Sequence, residues 1–165
     1  KDLVEMRWPN LEIHPFEFPK DWDLHVGWTG KPASSLHLLD KIYEDDSFKN
    51  LFIEFIQASF HDIEPILQGF RSEDFLQVQK HINSNGDLIR ALGVLTKIDI
   101  ETNELSKLIE IARGMDMASK LSGAGGGDCG IAIADIDNKD ILKRKWKEQG
   151  IEYLDIDVYR GKDVQ

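Results

Sequence analysis

Five glycines fall within eight residues in the segment Ser122-Gly123-Ala124-Gly125-Gly126-Gly127-Asp128-Cys129-Gly130. Glycine loses more conformational freedom on folding than any other residue, so such a run requires a structural or functional return. Without side chains the backbone can approach a ligand closely, and successive N–H groups can form a concavity that binds an anion, with phosphate the natural guest. A tight turn between packed elements is the plainer reading of the same residues.

The surrounding pattern places this loop between a helix and an apolar strand. Thr102, Leu105, Leu108, Ile109 and Ala112 predict a capped helix, with Gly114 as its left-handed terminator. Cys129, Ile131, Ile133 and Ile136 predict a buried strand after the loop, although Ala132 and Ala134 blunt its alternation. A P-loop would end in Gly-Lys-Ser/Thr and open a helix, and a dinucleotide fingerprint would follow a strand. Neither order is met, so another way of handling phosphate is required.

Elsewhere the periodicity is clear. Leu11, Ile13, Phe16 and Phe18, then Leu24, Val26 and Trp28, predict a hairpin over 10–30 that turns at Pro19-Lys20-Asp21. Ser34 or Ser35 is placed to cap a helix through Leu38, Leu39 and Ile42. Ser47 precedes Phe48, Leu51, Phe52, Phe55, Ile56, Phe60 and Ile63, an amphipathic helix that Pro65 and Gly69 should kink or end. A further helix is expected from Ser72 through Leu92, weakened at Asn85-Gly86. Asn138 to Trp146 predicts a short helix stopped by Gly150, and Leu154, Ile156 and Val158 a closing strand. Strands and long helices that do not alternate regularly predict an α+β fold, helices on one face of an antiparallel sheet.

Composition narrows the functions. A net charge of −10 argues against a nucleic-acid partner, and 41% hydrophobic with 30% charged residues describes a chain that folds around a core. No apolar run reaches the roughly 20 residues of a membrane helix, so a cytoplasmic protein without membrane contact is expected. Cys129, the single cysteine, has no disulfide partner, and His14, His25, His37, His61 and His81 show no metal-ligand spacing. The first residue is Lys1 rather than Met, which suggests a piece of a longer protein.

The segment Ser122 to Gly130, with its Asp128-Cys129-Gly130 ending, resembles the third motif of the GHMP kinases. Val26-Gly27-Trp28-Thr29-Gly30 followed by Ala33-Ser34-Ser35 resembles a second segment of the same family, in the same order. The resemblance covers nearly the whole chain, but its specificity lies in those two segments. One departure is Asn85-Gly86, where similar enzymes often carry Asn-Arg.

The resemblance implies a ferredoxin-like antiparallel sheet with several helices on one face. Residues 1–165 would be the C-terminal, substrate-side half of a two-part kinase, with strands in 1–30 belonging to or bordering the N-terminal half. It implies transfer of a phosphoryl group from ATP to 5-phosphomevalonate, giving 5-diphosphomevalonate in isoprenoid biosynthesis. ATP and Mg2+ would be held mainly by the N-terminal half, leaving this chain inactive alone. By transfer, Ser35 and Ser122 donate hydrogen bonds to substrate phosphate, Gly123, Ala124 and Gly125 offer backbone N–H groups beside it, and Ser34 is a further candidate.

Gly126, Gly127 and Asp128 are assigned to shaping the loop, while Lys120 is either a surface residue or a positive charge near the phosphates. His37 could reach the mouth of the site, one helical turn from Ala33. Cys129 reads as an inert apolar residue, and Trp8, Trp22, Trp28 and Trp146 as packing residues. The alternatives are another family member, such as one acting on mevalonate itself or one that decarboxylates diphosphomevalonate, against which the Gly27-Trp28-Thr29 segment speaks, and a stand-alone ferredoxin-like module that binds an anionic regulator. No catalytic base is assigned.

Overall fold

The computed structural model describes residues 17–32, 46–123, 125–135 and 137–159. Strand β1 (Asp23–Trp28) is followed by helices α1 (Asp46–Ser72), α2 (Phe75–Thr96) and α3 (Asn103–Arg113). Then come β2 (Ala118–Leu121), β3 (Cys129–Ala134), α4 (Lys139–Glu148) and β4 (Glu152–Leu154). All strand pairs are antiparallel and the sheet order is β2-β3-β1-β4. This is the α+β, ferredoxin-like arrangement expected, with the α1–α2 hairpin inserted after the first strand.

Strand alternation divides the sheet into two faces. Gly27, Gly130, Ala132, Ala134 and Leu121 point toward α3 and α4, where Leu105, Leu108, Leu142, Trp146 and Ile151 are buried. Ala118 and Ile133 point the other way and pack with Trp22, Phe70, Phe75, Val78 and Ile82. The expectation of helices on one face therefore describes α3 and α4, while the α1–α2 hairpin meets the opposite face. The reason lies in β3, which is apolar on both sides and so requires two covers.

The first face is built on a close approach. Gly27 and Gly130 are directly opposed in the β1–β3 register. A Cβ added to Gly130 would lie 2.5 Å from Leu108 Cδ2, and one added to Gly27 would lie 2.8 Å from Leu108 Cδ1. The paired glycines form a dimple that the fully buried Leu108 fills. Trp146 reinforces the seat by donating from Nε1 to the Leu108 carbonyl at 3.1 Å.

The helical hairpin is held by polar rungs as well as by apolar contact. Gln77 Nε2 donates to the Pro65 carbonyl at 2.8 Å, His81 Nδ1 lies 2.8 Å from Asp62 Oδ1, and Asn85 Nδ2 donates to Ser59 Oγ at 2.5 Å. Positions 77, 81 and 85 lie one turn apart on α2, which pins the register of the pair. Contrary to expectation, α1 runs through Pro65 and Gly69 to Ser72. The hairpin contact overrides the lost backbone bond at Pro65. Gly69 makes room for the second helix, since a Cβ there would meet Val78 Cγ2 at 2.8 Å.

Other boundaries also shift. Helix α2 starts after Asp74, whose side chain caps the Gln77 N–H, and not at Ser72, which closes α1. It continues through Asn85-Gly86 without a break. Thr102 caps α3 as expected, but Gly114 stays right-handed and the left-handed residue is Asp116. Strand β2 has no counterpart among the expected elements, because its Ala-Ser-Lys-Leu is too short and mixed to register as a strand. Asn138 makes no side-chain cap, and β4 ends at Leu154, short of Ile156 and Val158. Leu11, Ile13, Phe16 and the helix expected through Leu38, Leu39 and Ile42 lie outside the described residues. Ile136 does too.

Gly130→Ala is expected to lower stability by about 1–3 kcal/mol through overpacking against Leu108. Combining it with Leu108→Ala should recover part of that loss, because the second change vacates the contested space. Denaturant unfolding of the two single variants and the double variant measures the coupling; strictly additive losses would show that the two residues do not share the dimple.

Candidate substrate-binding loop

The glycine-rich loop leaves β2 at Leu121 and returns into β3 at Cys129, at the end of the sheet where β1 also finishes. Ser122 extends the ladder by one rung, its N–H donating to the Cys129 carbonyl at 2.9 Å. Beyond it the backbone turns left-handed, with φ of +85° at Gly123, +80° at Gly125, +81° at Gly126, +130° at Gly127 and +65° at Asp128. Four glycines in that region explain the composition of the loop. Among the described residues Asp128 is the one there with a side chain, a conformation that aspartate tolerates better than most.

Two anchors hold the loop. Gly126 N–H donates to the Ile100 carbonyl at 2.7 Å, and Gly125 lies so close to Ile100 that a Cβ would sit 2.9 Å or less from its carbonyl group. Asp128 N–H donates to the Lys31 carbonyl at 2.7 Å, while Thr29 N–H donates to the Asp128 carbonyl at 2.8 Å. Gly127 also packs on Lys31, whose carbonyl oxygen is 3.0 Å from the position of an added Cβ. The two motifs singled out in the sequence are thus joined by reciprocal backbone hydrogen bonds.

The Ile100 platform is itself fixed. Glu101, with a side chain only 3% exposed, receives Arg90 Nη2 at 2.7 Å, Arg90 Nε at 2.8 Å and the Ser106 hydroxyl at 2.8 Å. The hydrogen bond to Glu101 raises the Arg90 pKa above its ordinary value. On the opposite side Lys31 Nζ donates to Glu104 at 2.6 Å on the surface. Hydrogen bonding to Lys31 lowers the Glu104 pKa.

These anchors leave donors over. Among the described residues, the N–H groups of Gly123, Gly125 and Gly127 have no acceptor, and Ser122 and Gly123 are exposed. A Cβ on Gly123 would meet nothing within 4 Å, so its surroundings are open. Gly126 and Asp128 are the residues tied to Ile100 and Lys31, and Gly127 shares the Lys31 contact. At Gly125, Ile100 demands a glycine whether or not a ligand does.

Ser34, Ser35, His37 and Ala124 lie outside the described residues, as do His14 and Trp8. His25 is buried beside Tyr153 and burial lowers its pKa, His61 is exposed, and His81 pairs with Asp62. Trp22 and Trp146 are core residues, and Trp28 is half-buried. Burial, followed by Asp128, raises the Cys129 thiol pKa, consistent with an unreactive residue.

Gly86 has a local explanation. A Cβ there would lie 2.8 Å from Arg113 Nη2 and 3.0 Å from Lys120 Cβ, so glycine makes room for both side chains. Arg113 is held by Asp87, the Asn83 carbonyl and the Ser119 carbonyl. Sequence reasoning missed Ile100 and Lys31, which act through main-chain carbonyls and leave no side-chain signature. Among the described residues no group of three or more His, Cys, Asp or Glu side chains is placed to hold a metal ion, and no helix is long and apolar enough to cross a membrane.

Residues 66–152 match the family model described as GHMP kinases C terminal. Phosphomevalonate kinase of Streptomyces sp. (strain CL190) is 28% identical over 148 residues, covering 87% of this chain and 40% of that protein. Mevalonate kinase of Thermococcus onnurineus (strain NA1) is 33% identical over 133 residues, covering 76% and 37%. The structure of Streptococcus pneumoniae phosphomevalonate kinase in complex with phosphomevalonate and AMPPNP aligns with a TM-score of 0.70 at 29% identity, covering 81% of this chain and 38% of that one. The chain spans about two fifths of the length of the curated relatives it matches. With the family model matching more than half of its residues, and a structural relative sharing its fold, the chain belongs to the GHMP kinase family, in the part described as C-terminal.

Proposed function

We propose that this chain is the substrate-side half of a phosphomevalonate kinase, which transfers the γ-phosphoryl group of ATP to 5-phosphomevalonate. The observation that carries the reading is the junction between the Gly27-Trp28-Thr29 segment and the glycine loop, joined through Thr29, Lys31 and Asp128. It brings together the two segments that carry the resemblance to the family. The pneumococcal relative that takes phosphomevalonate and an ATP analogue supports it further.

In this reading the substrate phosphate sits over the N–H groups of the exposed Gly123 and the buried Gly125, neither of which has an acceptor among the described residues, with the exposed Ser122 hydroxyl as a third donor and Ala124, Ser35 and Ser34 completing the set. Neutral donors suit the task, because phosphoryl transfer depends mainly on positioning and on stabilising charge. Gly126, Gly127 and Asp128 keep the donors in place through Ile100 and Lys31. ATP and Mg2+ would be held mainly by an N-terminal half. The 33% identity to a mevalonate kinase favours a second reading, in which mevalonate itself is the acceptor.

A coupled assay on the full-length protein, offered ATP and Mg2+ with either acceptor, is expected to show turnover of 5-phosphomevalonate and little of mevalonate. Preference for mevalonate would establish the second reading. The 165-residue chain alone is expected to release no ADP.

Ser122→Ala in the full-length protein should lower kcat/KM by about 10- to 100-fold, the loss of one hydrogen bond to a charged group worth about 1.5–3 kcal/mol. Unfolding should be nearly unchanged, since Ser122 is exposed. Gly123→Ala and Gly125→Ala provide the contrast. The first strains a left-handed backbone at about 1–3 kcal/mol but projects its methyl into open space, so affinity for 5-phosphomevalonate should fall by more than stability does. The second collides with Ile100, so stability should fall first. Equal affinity in folded Gly123→Ala would remove the loop from the site.

A further inference from the structure

The loop end of the sheet's second face carries a feature that the loop itself does not explain. At the opposite end of that face, Ile133 and Ala118 are buried beneath Trp22, Phe70 and the hairpin. Toward the loop, Val26, Trp28, Cys129 and Ile131 are only half-buried. They form a partly open apolar floor, because Val26 pairs with Ile131 and Trp28 with Cys129.

Lys120 stands at the border of this floor, paired in register with Ile131 on β3. Ser122 follows two residues later in a ladder that is still intact, so strand alternation puts both side chains on the same face. Two residues of extended chain span about 7 Å, a distance that a lysine stem covers.

The partners of Lys120 are unusual for a lysine in a chain with a net charge of −10. Its ammonium donates to Asn85 Oδ1 at 2.9 Å, and among the described residues no carboxylate lies within ion-pair distance. Asn85 is buried and turned by Ser59, whose Oγ accepts from its Nδ2, so the amide oxygen is fixed toward the lysine. Gly86 makes room for the stem. An ammonium has three donors, and among the described residues one is used. Burial lowers its pKa from the ordinary lysine value, the signature of a cation short of counter-charge.

We propose that Lys120, oriented by Asn85, is a substrate-binding residue whose ammonium pairs with the phosphate of the acceptor substrate, whose carbon chain lies on the floor of Val26, Trp28 and Ile131. The inference rests on the kinase reading and deepens it, by naming the charge that separates a phosphorylated acceptor from its unphosphorylated counterpart.

The test uses the full-length protein and two probes, 5-phosphomevalonate and mevalonate, with binding measured calorimetrically without ATP. Lys120→Gln keeps a donor for Asn85 and most of the stem, and Lys120→Arg keeps the charge. Expected are a loss of at least tenfold in 5-phosphomevalonate affinity in Lys120→Gln, a smaller loss in Lys120→Arg, and no change in whatever weak affinity mevalonate has. Lysine acylation followed by mass spectrometry gives a readout on the unmutated protein. There, 5-phosphomevalonate should protect Lys120 and mevalonate should not.

Unchanged 5-phosphomevalonate affinity in folded Lys120→Gln, or no protection of Lys120, would overturn the assignment while leaving the kinase reading intact. Equal losses for both probes would overturn it as well, because the carboxylate they share would then be the partner. Failure of the unmutated protein to bind 5-phosphomevalonate at all would overturn the kinase reading instead.

Discussion

The seating of Leu108 on the opposed pair Gly27 and Gly130 is the contact on which the rest of the structure depends. Two missing side chains let α3 approach the sheet more closely than any other pair of residues would permit. Because α3 is close, the link that leads into it, Ile98 to Thr102, lies beside the mouth of the sheet. There the Ile100 carbonyl can receive Gly126. The same glycines thus set the helix packing and the position of the loop, and a change in one would be felt in the other.

The loop is held on both sides by main-chain bonds rather than by side-chain contacts. Ile100 holds its middle and Lys31 its end, and the platform under Ile100 is secured by the buried Glu101 with Arg90 and Ser106. Anchoring of this kind fixes the loop's N–H groups beforehand, and donors fixed beforehand cost no reorganisation when charge arrives. The α1–α2 hairpin contributes at one remove. Its last polar rung, Asn85 with Ser59, is also the one that orients Lys120, so helix register and the charge beside the loop are mechanically linked.

Much of this was legible in the sequence because it rests on side-chain periodicity and on glycine. The core of α3, the strand β3, the cap at Thr102 and the importance of the glycine segment all follow from local pattern. What pattern missed is non-local. Helix α1 continues through Pro65 and Gly69 because Val78 and Gln77 pack there, which no local propensity encodes. Strand β2 exists because β3 pairs with it, and its four residues would otherwise read as loop. The second cover on the sheet follows from Ile133 and Ala118 sharing a face, a fact of register rather than of composition. Within the candidate site, Ser122 and the glycines are visible as residue types, whereas Ile100 and Lys31 contribute carbonyls that any residue could supply.

That the glycine loop is an anion cradle, and not merely a turn, is tested most directly by the structure of the full-length protein with 5-phosphomevalonate bound. The phosphate is expected within hydrogen-bonding distance of the Gly123 and Gly125 N–H groups and of Ser122 Oγ, with Gly126 still bonded to Ile100. A phosphate bound elsewhere, with those donors facing solvent, would reduce the loop to a connection between two strands.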